Sequence, residues 1–220
     1  MENSPTLVKK IMQGTDLVFK DGNVIIWGIP TQLFPVNTVV LLQKMMELSY
    51  GYSDVSNLLY QLGRIQGKRG GEMMFKRFGF KKTKKSSELA AQQGELIGIG
   101  KQEYIKFELK NNHFIVKNLA TPMAKVYLNI YGKQKFPECH FVRGARTGAH
   151  EALMGTDLIG IETQCISMGK PYCVFEIKET KKWDQSLELI RNQFPLSTTI
   201  PDHIESFETL KTLLRTKSMI

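Results

Sequence analysis

The chain has 220 residues, of which 42% are apolar and 23% charged, with a formal net charge of +9. These proportions sit near the globular norm and the length supports a sizeable core, so neither a metal nor a disulfide is needed merely to fold. The N-terminus MENSPTLVKKIMQG lacks the long apolar centre of a signal peptide, and no run of about 18 apolar residues appears, so we expect a cytoplasmic protein with no membrane insertion. The cytosol keeps thiols reduced, so the three cysteines point to free thiols or metal ligands before disulfides.

In chain order, DLVFKDGNVIIW reads as a hairpin turning at Asp21-Gly22. Pro30 and Pro35 break the chain. Apolar residues at positions 36, 39, 40, 42, 45 and 46 have helical spacing, ended near Gly51. Ser53 can cap a second helix carrying Val55, Leu58, Leu59, Leu62 and Ile65, with Gly63 and Gly67 on one face and Gly70-Gly71 ending or bending it. Lys68 opens and Lys85 closes a stretch with eight Lys/Arg and one Glu, most of the chain's excess charge. Ser86-Ser87 can cap a third helix to about position 96. EYIKFELK and HFIVKNL alternate around Asn111-Asn112, a second hairpin.

Positions 121–132 fit a strand or a helix, and 143–155 read as a helix rich in small residues. Positions 158–167 and 172–178 read as strands joined at Gly169. Two amphipathic tail helices follow, one with Trp183, Leu187, Ile190 and Phe194, the other with Ile204, Phe207, Leu210 and Leu214. This order predicts an α+β class: an antiparallel sheet with helices packed on one side and a helical C-terminal extension. We expect a domain over 1–180 and the extension over 181–220.

Two of the three cysteines lie in ETQCISMGKPYC. A turn centred on Gly169 places Cys165 opposite Cys173, and cross-strand Cβ atoms lie about 4.5–5.5 Å apart. Two thiolates on one tetrahedral zinc have sulfurs roughly 4 Å apart, so the hairpin can offer two ligands to one ion. Glu162 can add an oxygen, and Cys139, in FPECHF, can close the site if the small-residue helix packs on the hairpin. Residues three apart in a regular strand face opposite ways, so Glu162 and Cys165 can join only if a bulge interrupts 160–163. Spacing alone fits buried, unliganded thiols as well.

The stretch GARTGAHEALMGTDLIGIETQCISMGKPYCVFEI resembles the signature of the 4-vinyl reductase domain family. These are small-molecule-binding domains, used as aromatic-sensing inputs by some bacterial transcription activators, with a fold shared by transport protein particle subunits. The matching features are Gly144, Gly148, Glu151-Ala152-Leu153, Glu162, Cys165, Gly169, Cys173 and Phe175. The match is close over 137–177 and weaker at IPTQLFPVNTV and LLYQLGRIQG. Zinc-binding members use an upstream cysteine and a Glu-x-x-Cys-x7-Cys run, so the resemblance implies a zinc site of Cys139, Glu162, Cys165 and Cys173. Four protein ligands would make the zinc structural. Their summed charge of −4 invites a positive neighbour such as Arg143 or Lys170. The resemblance also implies a homodimer.

His140 adjoins Cys139 but reads as an ordinary histidine, since adjacent residues seldom share one site. His150-Glu151 lacks the second histidine of a zinc-protease motif, and His113 and His203 have no obvious partner. No nucleophile–base–orienter set and no phosphate-binding glycine loop is present. The basic stretch, with Phe75, Phe78 and Phe80 among its cations, fits nucleic-acid contact, but a solvated face is favoured because no helix-turn-helix or zinc finger accompanies it. Trp27, Phe34, Tyr104, Phe107, Phe114 and Tyr127 read mostly as core, some lining a ligand cavity, with the ligand-binding residues unassigned.

The leading expectation is a non-enzymatic, zinc-containing domain that binds or senses a small hydrophobic molecule and signals through a protein partner. The alternatives are a scaffold role like that of the transport-particle relatives and a basic-patch nucleic-acid-binding regulator. Vinyl reductase activity is not expected, because no cofactor motif or acid–base pair is present.

Overall fold

The computed structural model describes residues 17–193 apart from positions 21, 27, 28, 80 and 97. Trp27, Phe80, Phe194, His203 and the second tail helix therefore lie outside the described residues. The first hairpin forms as expected: β1 (Leu17–Lys20) and β2 (Asn23–Ile26) turn through Gly22 at φ +75°. β3 (Ile29–Thr31) completes a small antiparallel sheet of three strands.

Helix α1 (Val36–Tyr50) ends at Gly51. Its buried face is polar, with Gln43 and Glu47 beside Val40. Leu41, Leu42, Met45 and Leu48 are exposed, and so is Phe34, which the sequence reads as core. Helix α2 (Tyr52–Phe78) continues through Gly70-Gly71 instead of ending there. The glycines serve a neighbouring helix, α5 (His140–Met154). A Cβ on Gly63 would meet the Phe141 carbonyl, one on Gly67 the Ala145 carbonyl, and one on Gly71 the Ala152 side chain. Gly144 and Gly148 of α5 approach the Tyr60 and Arg64 carbonyls in the same way. Small residues four apart on both helices let the two backbones touch.

Helix α3 (Lys84–Leu96) starts two residues earlier than Ser86-Ser87 suggested. Thr83 is the cap, since its Oγ1 accepts from Ser86 N at 3.2 Å. β4 (Gln102–Glu108) and β5 (His113–Asn118) form the second hairpin, with Asn112 at φ +48° in the turn. The ambiguous stretch is a helix, α4 (Pro122–Tyr131), with Pro122 in its first turn. β6 (Ile159–Gln164) stops three residues short of the expected strand end. There Ile166–Met168 closes a 3-10 turn, with the Cys165 carbonyl accepting from Met168 N and Lys170 N. β7 (Cys173–Lys178) follows.

The main sheet is antiparallel with order β4-β5-β7-β6. Helix α5 lies on it, with Gly160 of β6 packed against Thr147, and α2 lies on α5. Alternation along β6 sends Ile159 and Ile161 to the other face, where they bury Trp183 and Ile190. The expected stripe of Trp183, Leu187 and Ile190 is not one helix. A 3-10 turn (Thr180–Lys182) and the short α6 (Glu188–Arg191) carry it, and Leu187 is exposed. The fold is thus α+β. Among the described residues no helix is long and apolar enough to cross a membrane.

Candidate metal centre and ligand cavity

Three loop-to-element junctions bring the cysteines together. Cys139 precedes α5, Cys165 follows β6, and Cys173 opens β7. The β6–β7 register shifts between Glu162 and Gln164, which is the bulge that the alternation argument required. Glu162 and Cys165 consequently face the same side. All three sulfur–sulfur distances are 3.7 Å. A tetrahedral zinc with bonds of about 2.3 Å places its sulfurs about 3.75 Å apart, so this triangle already has the dimensions of three corners of a zinc tetrahedron. Glu162 supplies the fourth direction. Its Oε2 accepts from Cys139 N at 3.2 Å, while its buried Oε1 has no hydrogen-bond partner. One ligand atom from each of the four lies within 4.8 Å of all the others.

The surroundings support this geometry. Ser167 Oγ donates to Cys165 Sγ at 3.0 Å and Ile166 N to Cys173 Sγ at 3.4 Å. The Cys165 and Cys173 thiols, together with burial, push the Cys139 thiol well up. Burial and the negative charge of Cys165 push the Glu162 carboxyl well up. Hydrogen bonds from Cys139 and Cys165 pull Cys173 down to about 6.

Of the expected counter-charges, Lys170 is exposed. Arg143 is buried beside the site and favoured in charge by Glu162, but it is spent on other groups. Its Nη1 donates to the Gly160 and Gln193 carbonyls and its Nη2 to Ser56 Oγ, with the guanidinium over the Tyr60 ring.

Sequence reasoning missed Gln193. Its Nε2 donates to the Glu162 carbonyl at 2.9 Å and its Oε1 accepts from Glu162 N at 3.0 Å. This amide pairs with edge strand β6 as a neighbouring strand would and fixes the backbone of the ligand residue. No local pattern announces it, because a lone glutamine carries no spacing signal.

The histidines fall elsewhere. His140 points away from the sulfurs, with Nε2 3.4 Å from Glu138 and 3.9 Å from Glu47. His113 meets Glu176 at 2.8 Å, a partner the sequence did not reveal. The His150 Nδ1–H donates to the Arg146 carbonyl, so Nε2 accepts from the Tyr104 hydroxyl at 3.0 Å. Burial pushes His150 down to about 4, leaving it neutral. Glu151 holds Arg64 in a buried bidentate pair.

Tyr104, Arg146 and His150 line a cavity of about 70 Å³ between α2, α3, β4 and α5, whose apolar wall includes Met74, Ala91 and Leu153. Phe107 meets both Tyr104 and Phe114 edge-on. Phe114 and Tyr127 are core residues, as expected. The basic stretch spans the end of α2 and the start of α3. Phe75 turns from it into the core beside Phe114 and Leu153.

The family model of the 4-vinyl reductase domain matches residues 124–179, which hold all four candidate ligands. No curated protein matches the chain. Among solved structures, the phenol-responsive sensory domain of the transcription activator PoxR with phenol shares 18% identity at a TM-score of 0.74, over 89% of this chain and 99% of that one. A vinyl-4-reductase family protein from Methanocaldococcus jannaschii shares 22% identity at a TM-score of 0.47, over 68% of this chain and 84% of that one. A trafficking protein particle complex subunit 3 from Naegleria fowleri, covalently bound to palmitic acid, shares 12% at 0.47, over 65% and 93%. Residues 124–179 thus match the 4-vinyl reductase domain model, and the chain shares the fold of the PoxR sensory domain.

Proposed function

We propose that this chain is a cytoplasmic small-molecule sensor domain whose Cys139, Glu162, Cys165 and Cys173 hold a structural zinc. The observation that carries the metal reading is the 3.7 Å sulfur triangle facing a buried carboxylate oxygen without a partner. Zinc there supplies a cross-link between the loop before α5 and the β6–β7 turn. Four protein ligands leave no position for a reacting water, which supports a non-catalytic role. The sensor reading rests on the match to the family model, the likeness in fold to a phenol-responsive domain, and a cavity with an apolar wall. A homodimer fits the exposed apolar face of α1, since contiguous apolar patches of this kind mark association surfaces.

Native mass spectrometry of the full chain, purified without chelators, tests zinc, oligomer and retained ligand together. The proposal expects one zinc per chain, a dimer and a small-molecule adduct. A metal-free, ligand-free monomer would overturn it.

A further inference from the structure

Three arginines are buried around α5, and two of them bond groups of the protein, although Arg143 Nε has no hydrogen-bond partner. Arg64 turns Nε and Nη2 onto the Glu151 carboxylate. Arg143 spends its guanidinium on carbonyls, a hydroxyl and an aromatic face. Arg146 is only 8% exposed, yet its Nε and Nη2 have no hydrogen-bond partner. Those two nitrogens form the same edge of the guanidinium that Arg64 presents to Glu151, and it is an edge that holds a carboxylate bidentately.

Arg146 lines the cavity shared with Tyr104 and His150. Burial pulls its guanidinium down to about 10, so it stays charged at neutral pH, and Tyr104 and Glu95 favour that charge without bonding it. Water in the cavity can satisfy two N–H groups but not the charge. A buried cation with no bonded counter-charge is costly, and such a group is explained when its counter-ion arrives from outside.

We infer that the molecule this domain senses is a small organic anion, a monocarboxylate with an apolar body, bound bidentately by Arg146. Its carboxylate meets Nε and Nη2, and its carbon body lies against Met74, Ala91 and Leu153. The cavity of about 70 Å³ is roughly half the ~150 Å³ that accepts benzene. It therefore suits an acid of two or three carbons as it stands, and a branched-chain or aromatic acid once Met74 or Phe75 swings aside. The inference rests on the sensor reading and narrows its ligand class.

The test uses the zinc-loaded full chain, titrated calorimetrically with isovalerate and benzoate, with isovaleramide and benzamide, and with phenol. The acids should bind at least about tenfold tighter than their amides, as expected for a charge-assisted bidentate pair. Arg146→Met should abolish that preference and leave the melting temperature of the ligand-free protein unchanged or raised. If amides or phenol bind as well as the acids, the anion inference fails and the sensor reading stands. If none of the five binds, both fail. If Arg146→Met lowers the ligand-free melting temperature by more than a few degrees, Arg146 has an internal partner and the inference is overturned.

Discussion

Helix α5 passes two buried clusters whose missing partners have opposite charge. At its N-terminal end, three thiols and the Glu162 carboxylate converge with one carboxylate oxygen unbonded. Two turns further on, Arg146 presents a guanidinium edge with no acceptor. The first arrangement calls for a cation and the second for an anion. Arg143, between them, and the Arg64–Glu151 pair, beyond them, show how the same protein bonds buried charge internally. Buried polar groups in native proteins are normally partnered, and each of these two clusters has a charged side chain with a group left open.

The largest effect should come from Cys165→Ser, which removes one corner of the triangle. We expect loss of stoichiometric zinc by elemental analysis and a cost of about 5 kcal/mol or more, roughly 10–20 °C in Tm. The same site predicts a pH dependence. Cys139 and Glu162 are both pushed up without metal, so they hold protons that binding must expel. Zinc affinity should tighten step by step from pH 6 to pH 8 in competition with a chromophoric chelator, and zinc should leave as the pH falls.

Next in size, Arg64→Met strands the buried Glu151 carboxylate and should cost about 3–5 kcal/mol by chemical denaturation. The equivalent truncation at Arg146 should cost almost nothing without ligand. Equal losses at the two arginines would erase the distinction between paired and open cations. Gly67→Ala drives a methyl into the Ala145 carbonyl and should cost about 1–3 kcal/mol by separating α2 from α5. Gln193→Ala removes the amide that pairs with Glu162 and should cost roughly 1–2 kcal/mol, with zinc exchanging faster in a chelator chase.

Much of this could be read from the sequence. Asp21-Gly22 and Asn111-Asn112 announced their hairpins through turn chemistry, and strand alternation demanded the bulge that the register of β6 shows. The cysteine site was legible because its residues are few and their spacing is constrained. What stayed hidden depends on contacts distant in sequence. Gly70-Gly71 reads as a helix end until Gly71 is seen against Ala152 of α5. The stripe on α1 suggests an apolar buried face, yet Glu47 is buried because the Tyr127 hydroxyl, 80 residues away, donates to it. Thr83 displaced Ser86 as the cap because caps are chosen by local backbone geometry. Arg143 and Arg146 sit three apart on one helix and are indistinguishable in sequence. Only the packed structure shows both Nη groups of Arg143 bonded and the Nε–Nη2 edge of Arg146 open.

The central claim is that Cys139, Glu162, Cys165 and Cys173 form a zinc site. The most direct measurement is native mass spectrometry of the wild-type chain purified without chelators, beside the same sample sprayed under denaturing conditions. The account predicts a mass excess of one zinc per chain in the native spectrum, absent after denaturation. A folded chain at the apo mass, with all three thiols free to react with a maleimide once unfolded, would contradict it.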